Sequence, residues 1–181
     1  MVALGEEVVA PLIACFDVHY AGHKAVAAGV WFRGWNATAA ECESVVPVPE
    51  VAEYEPGAFY RRELPCILAV SKSGPRADIT IVDGYVWLAD GKPGLGSHLH
   101  GAIGGIVVGV AKTRFAGATS AVEVFRGRSR SPLFVTAAGV SPESAANWVA
   151  GMAGSHRMPT LLRRVDTISR AYAAGKHGIQ R

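Results

Sequence analysis

Asp17, Glu63 and Asp83 share an unusual setting: each adjoins apolar residues of a strand or helix instead of a solvated loop. Asp17 lies between Phe16 and Val18. Glu63 stands beside the start of a stretch with helical spacing, and Asp83 follows the apolar run Ile79, Thr80, Ile81, Val82. Any one of these acids would also serve as an exposed strand residue or a cap. Acids at the C-terminal ends of strands nevertheless gather where ligands bind in layered α/β folds. Magnesium takes oxygen ligands, keeps several waters and needs only one or two carboxylates beside substrate phosphates. If the fold brings these three together, the chemistry they suit is metal-assisted hydrolysis of a phosphodiester.

Other site chemistries find less support. The six histidines form no HxxxH pair on a helix, since His19 and His23 fall on a strand and the turn after it, which argues against zinc. There is no GxSxG elbow and no P-loop lysine. His98 and His100 alternate within a glycine-rich stretch, 91–105, that reads as a loop; a phosphate or backbone contact suits them better than a metal. Gly101, Gly104 and Gly105 lack the strand–turn–helix setting that nucleotide binding needs.

The elements that must carry these residues follow from periodicity. Residues 14–32 read as two strands around a turn at Ala21, Gly22 and His23, and a third strand falls within 38–46. Residues 48–57 hold two prolines and a glycine among acids and form a loop. A helix is expected from Leu64, because Pro65 is tolerated only in a first turn. A buried strand ends at Asp83, another spans 106–110, and further strands fall at 121–125 and 133–136. Two helices close the chain, at 142–152 and 159–174, the second with Leu161, Leu162, Val165, Ile168 and Tyr172 on one face. This order predicts an α/β fold: a mixed sheet of three antiparallel strands followed by parallel ones, flanked by helices.

Composition sets the outer bounds. A chain of 181 residues that is 50% hydrophobic is expected to be one domain, residues 1–181, with a full core. The apolar start holds Glu6 and Glu7 and no basic leader, and no 18-residue apolar run occurs, so neither a secretory signal nor a membrane span is expected. Cys15, Cys42 and Cys66 are too few and too scattered for a disulfide framework and read as reduced residues of a cytoplasmic protein. A net charge of +3 permits nucleic-acid binding without requiring it. Its basic clusters, at 126–130 and 157–170, read from charge alone more readily as a solvated face.

Six short blocks in order give the chain a family resemblance. Asp17-Val18-His19-Tyr20, Tyr54-Glu55-Pro56-Gly57, Arg62-Glu63-Leu64-Pro65, Val82-Asp83-Gly84, Ser97-His98 and Gly109-Val110-Ala111-Lys112 together resemble the signature of endonuclease V. The resemblance covers 14–117 well and the last third loosely. It implies a ribonuclease H-like fold and a Mg2+-dependent cut (Mn2+ as substitute) 3′ to a deaminated base, typically inosine, in DNA. It implies that Asp17, Glu63 and Asp83 hold the metal, with Lys112 near the cleaved phosphate and Arg62 beside the catalytic glutamate. Tyr54, Pro56 and Gly57 match the wedge that enters the strand where the base leaves the stack. Gly84, Gly96 and Ser97, with His98, match the part that receives the flipped base. A monomer acting on nucleic acid, away from membranes, is what such a protein would be.

The chain also departs from that signature. Glu53 replaces the first proline of the wedge. Where the family continues His-Gly-x-x-His after Asp83-Gly84, this chain has Tyr85, Val86, Trp87, Leu88 and Ala89. Thr136, Ala137, Ala138 and Gly139 replace a Ser-Pro-Gly-His block, removing a histidine near the metal. Two alternatives therefore stand beside inosine-directed DNA cleavage: an endoribonuclease for inosine-containing or structured RNA, and a binder of altered nucleic acid that does not cut.

Overall fold

A computed structural model describes residues 9–176; the apolar start with Glu6 and Glu7, and His177, lie outside the described residues. Seven strands form the main sheet: β1 (Leu12–Ala21), β2 (Lys24–Arg33), β3 (Cys42–Val48), β4 (Ile79–Asp83), β7 (Ile106–Ala111), β8 (Val122–Val124) and β9 (Leu133–Ala138). Their spatial order is β3-β2-β1-β4-β7-β9-β8, while β5 (Trp87–Ala89) and β6 (Lys92–Pro93) make a small separate ribbon. The turn at Gly22, with φ of 65°, closes the first hairpin.

Strands β1, β4 and β7 run parallel. The expectation of parallel strands to the far edge is corrected there: β9 runs antiparallel to β7, and β8 to β9. The reason is local. Strand β9 returns through the connection after β8 without a crossover helix, and parallel pairing needs a crossover.

Four helices cover the two faces. On one side lie α1 (Tyr60–Ser71) and α2 (Leu95–Ile103), on the other α3 (Pro142–Ala150) and α4 (Thr160–Ala173). The strand period of two sorts the core between them. In β1, Ile13 and Cys15 face one apolar cluster with Leu161, Leu162 and Val165 of α4, whereas Ala14 and Phe16 face the other with Cys66, Ile67 and Val70 of α1. The cysteines are free, with Cys15 and Cys66 buried. No helix among the described residues is long and apolar enough to cross a membrane.

Two expected boundaries shift. Helix α1 starts at Tyr60, not Leu64, so Pro65 is its sixth residue and Glu63 lies within its first turn. Proline lacks the N–H that would bond back to Arg61, and packing of Cys66, Ile67 and Val70 against the sheet compensates. The stretch 91–105 is not a loop throughout, because α2 occupies most of it and carries both His98 and His100. Leu95 and Leu99, one turn apart, bury one face and hold this helix in place despite Gly96 and Gly101.

Candidate active site

Register places the first two acids. Phe16 pairs with Val82 across the parallel strands β1 and β4, so Asp17 and Asp83 emerge one residue later, level at the C-terminal edge. Both continue the alternation of Ile13–Cys15 and Ile79–Ile81, which face α4. Lys112 follows β7 and continues the alternation of Val108 and Val110 on that same face. Glu63 arrives from α1. The four predicted residues of the centre therefore share one edge of the sheet.

Their partners differ. Lys112 Nζ donates to Asp83 Oδ2 at 2.7 Å. Burial works against the Lys112 ammonium, but the Asp83 hydrogen bond and charge, with Asp166 and Asp17, outweigh it and hold the group above its ordinary pKa. Ser169 Oγ of α4 donates to Asp17 Oδ2 at 2.6 Å. Burial nevertheless raises the Asp17 pKa, and the charges of Asp166 and Asp83 add to it. Glu63 is only 6% exposed, and its Oε2 is buried with no hydrogen-bond partner. Desolvation, reinforced by Asp17 and Asp83, pushes its pKa up to about 8.

A cavity of about 20 Å³ opens among Asp17, Asp83, Lys112, Met158 and Asp166, room for a water or a small ion. Asp166 is the functional candidate that sequence reasoning missed. It lies in the polar half of an amphipathic helix, where it also accepts from Arg170 one turn on, and nothing in its neighbourhood distinguishes it. The signal lay in the fold: α4 packs on β1 and β2 and brings Asp166 and Ser169 to Asp17.

These groups fit a hard divalent cation in kind. All donors are carboxylate oxygens, and the orphaned Glu63 Oε2, flanked by two like charges, lacks the positive partner that a buried acid requires. They do not close on it: Asp83 is turned to Lys112 and Asp17 to Ser169, and among the described residues no three histidine, cysteine, aspartate or glutamate side chains converge as a ready-made metal group.

The remaining predicted residues divide. A cavity of about 260 Å³ beside Asp83 is lined by Gly57, Tyr60, Gly84, Tyr85 and Phe115, among others. Gly57 and Gly84, with φ of 81° and 138°, form part of its wall in a backbone region other residues rarely adopt. Gly96 and Ser97 do not line it. A Cβ on Gly96 would come within 2.7 Å of Val86 Cγ2, so this glycine serves helix packing. His98 stacks on Tyr60 at 3.6 Å between ring centroids and thereby buttresses the wall. Tyr54 is 61% exposed and, like Pro56, stands outside the cavity; its ring approaches Phe59 at 6.3 Å. Arg62 lies over the Tyr20 ring at 4.1 Å and donates to Gly22 O, so it braces the hairpin turn.

Thr136, one of the residues standing where a histidine-bearing block was expected, has its own task. Its buried Oγ1 accepts from Val86 N at 2.8 Å, and Gly109 leaves room for that crossing, since a Cβ there would meet Gly84 O at 2.6 Å. Together they fix the segment that follows Asp83.

Known proteins share this fold. The family model described as Endonuclease V matches residues 2–131. Endonuclease V of Rhodospirillum centenum is 27% identical over 150 residues, which cover 71% of this chain and 61% of that protein; the chain thus spans less than two thirds of that relative's length. Among solved structures, endonuclease V of Streptomyces avermitilis superposes with a TM-score of 0.77 at 25% identity, covering 93% of this chain and 84% of the other. The Ciona intestinalis endonuclease V, solved with a 23mer DNA containing an inosine followed by a ribo-adenosine, gives 0.76 at 18% identity, covering 92% and 86%.

Proposed function

The chain belongs to the endonuclease V family, and from that premise we propose that it cleaves a phosphodiester bond 3′ to a deaminated base, inosine above all, in DNA. The observation that carries the proposal is the carboxylate edge: Asp17, Asp83 and Asp166 around an ion-sized cavity, with Glu63 Oε2 buried and unpartnered beside them. Asp17, Glu63 and Asp83 would hold Mg2+. When bound, the ion supplies an activated water and charge neutralisation for hydrolysis.

The chain's own residues do the rest. Lys112 carries the positive charge nearest Asp83 and is positioned to offset negative charge building on the scissile phosphate. Ser169 orients Asp17 and opposes, without cancelling, the upward push of burial on its pKa. The cavity of about 260 Å³ beside Asp83, with Gly57 and Gly84 in its wall and Tyr85 and Phe115 as aromatic surfaces, offers a largely apolar pocket against which an extruded base would stack. Tyr54, exposed at the tip of its loop, is free to fill the gap that such a base leaves.

The test is a pair of labelled duplexes that differ by one inosine, incubated with Mg2+. A single nick 3′ of the inosine, absent from the unmodified duplex, supports the proposal. A nick confined to the matching inosine-containing RNA transfers the same site to RNA. Binding without any nick would make the chain a binder of altered nucleic acid.

A further inference from the structure

Beyond the acid edge, two loops meet to form a surface of one charge. The connection 125–132 contributes Arg126, Arg128 and Arg130, and the connection 151–159 contributes His156 and Arg157; neither contains an acid. Topology puts both beside the site. Val124 pairs with Leu133, and Ala111, next to Lys112, pairs with Phe134, so the first loop leaves the sheet at the edge where Lys112 stands. Near its end the second loop carries Met158, which lines the acid cavity itself.

The two loops are locked together. Arg126 is buried, and its guanidinium donates to the carbonyls of Ala150, Met152, Gly154, His156 and Arg157. Gly127, with φ of 60°, sits so close to Ser155 O that a Cβ would approach within 2.2 Å. Arg157 Nη2 donates to both Lys112 O and Pro132 O, which ties this unit to the lysine of the site. What the locked loops leave open is a cavity of about 470 Å³ lined by Arg128, Ser129, Ser155, His156 and Arg157. The Arg128 guanidinium is exposed and makes no hydrogen bond or ion pair with the described residues. Glu123, the nearest acid in sequence, is paired with Arg114.

We propose that the platform formed by Arg128, Ser155 and His156, braced by Arg126 and Arg157, binds the phosphodiester backbone of the strand being processed, as it runs from Lys112 away from the carboxylates. An acid-free surface with an unspent guanidinium, held in advance on a rigid support, is what a polyanion needs and costs little ordering on binding. Its continuity with Lys112 selects a nucleic-acid strand over any other anion. The proposal rests on the nuclease reading and extends its grip on substrate to one flank of the site.

The test uses the full chain and an unmodified single-stranded DNA oligonucleotide, with fluorescence anisotropy across a salt series, for wild type, Arg128→Gln and Lys72→Gln. Lys72 caps α1 at the opposite edge of the sheet. Losing one phosphate contact should make the slope of log Kobs against log salt shallower by about 0.7 in Arg128→Gln, with no change in Lys72→Gln. Nicking of an inosine duplex by the same wild-type preparation separates the two claims. An unchanged slope in Arg128→Gln, with wild type still nicking, overturns the platform alone. A shallower slope without nicking supports the platform and overturns the nuclease. Neither binding nor nicking by wild type overturns both.

Discussion

The loop 49–57 and the paired loops 125–132 and 151–159 are opposites. The first carries Glu50, Glu53 and Glu55 and no basic residue; the others carry four arginines and a histidine and no acid. The first is open, with Tyr54 and its neighbours exposed and a surface ion pair between Glu55 and Arg61 as its charged anchor. The others are cross-braced by a buried arginine. A net charge of +3 hides this division, because opposite signs cancel in the sum. The contrast teaches that the attraction this chain offers an anion lies on the Lys112 side and not on the loop 49–57.

That contrast can be broken or sharpened, from the largest effect down. On the acid side, Ser169→Ala removes the donor that supports Asp17 against burial. Loss of such a supporting partner costs roughly 10- to 100-fold in activity or metal affinity, readable as a rise in the Mg2+ concentration needed for half-maximal nicking. Restoring the hydroxyl with Ser169→Thr should recover part of it.

Neutralising the acidic loop tests whether its carboxylates repel the phosphate backbone. The double variant Glu53→Gln with Glu55→Gln should bind DNA about 3- to 10-fold more tightly at low ionic strength, and the gain should vanish near 1 M salt, where the Debye length falls to about 3 Å. An equal gain at high salt would mean that shape, not charge, limits this loop.

Glu63→Gln probes the buried end of the acid side. Its folded pKa of about 8 lies above the ordinary 4.5, so the folded state holds the proton more tightly. The stability this provides is fully present below pH 4.5 and is lost as pH rises through 8. In chelator, the glutamine variant should be more stable than wild type at pH 8, by on the order of 1–3 kcal/mol, and nearly equal at pH 4.5. Thermal melts at the two pH values read this directly.

The smallest effect is expected from Arg61→Gln. It breaks an exposed pair with Glu55, and exposed pairs of this kind contribute little to stability. The melting temperature should not move measurably, although the unpaired Glu55 should weaken DNA binding slightly further.

Much of the acid side was legible in the chain. Alternation placed Asp17 on a strand, the run ending at Val82 placed Asp83 at a strand end, and the order of blocks tied both to Glu63 and Lys112. Asp166 was not legible, because an aspartate on the polar half of a helix looks solvated until α4 is laid across β1. Helix α2 was hidden by its glycines, whose propensity favours a loop and which Leu95 and Leu99 override by burial. The same holds for β9: a strand pattern fixes neither its direction nor its neighbour. Gly96 shows the converse, a glycine assigned to the base pocket that in fact admits Val86. The basic runs were visible as charge, but only the fold shows that Arg126 is spent on carbonyls and Arg128 is not.

The central claim is that the carboxylate edge performs hydrolysis. The most direct measurement is nicking of a duplex with one inosine by wild type and by Asp83→Asn, each with Mg2+ and with chelator. The account predicts a single nick 3′ of the inosine with wild type and Mg2+, lost in chelator and in the variant although the duplex is still bound. Nicking by Asp83→Asn at the wild-type rate, or by wild type in chelator, would contradict it.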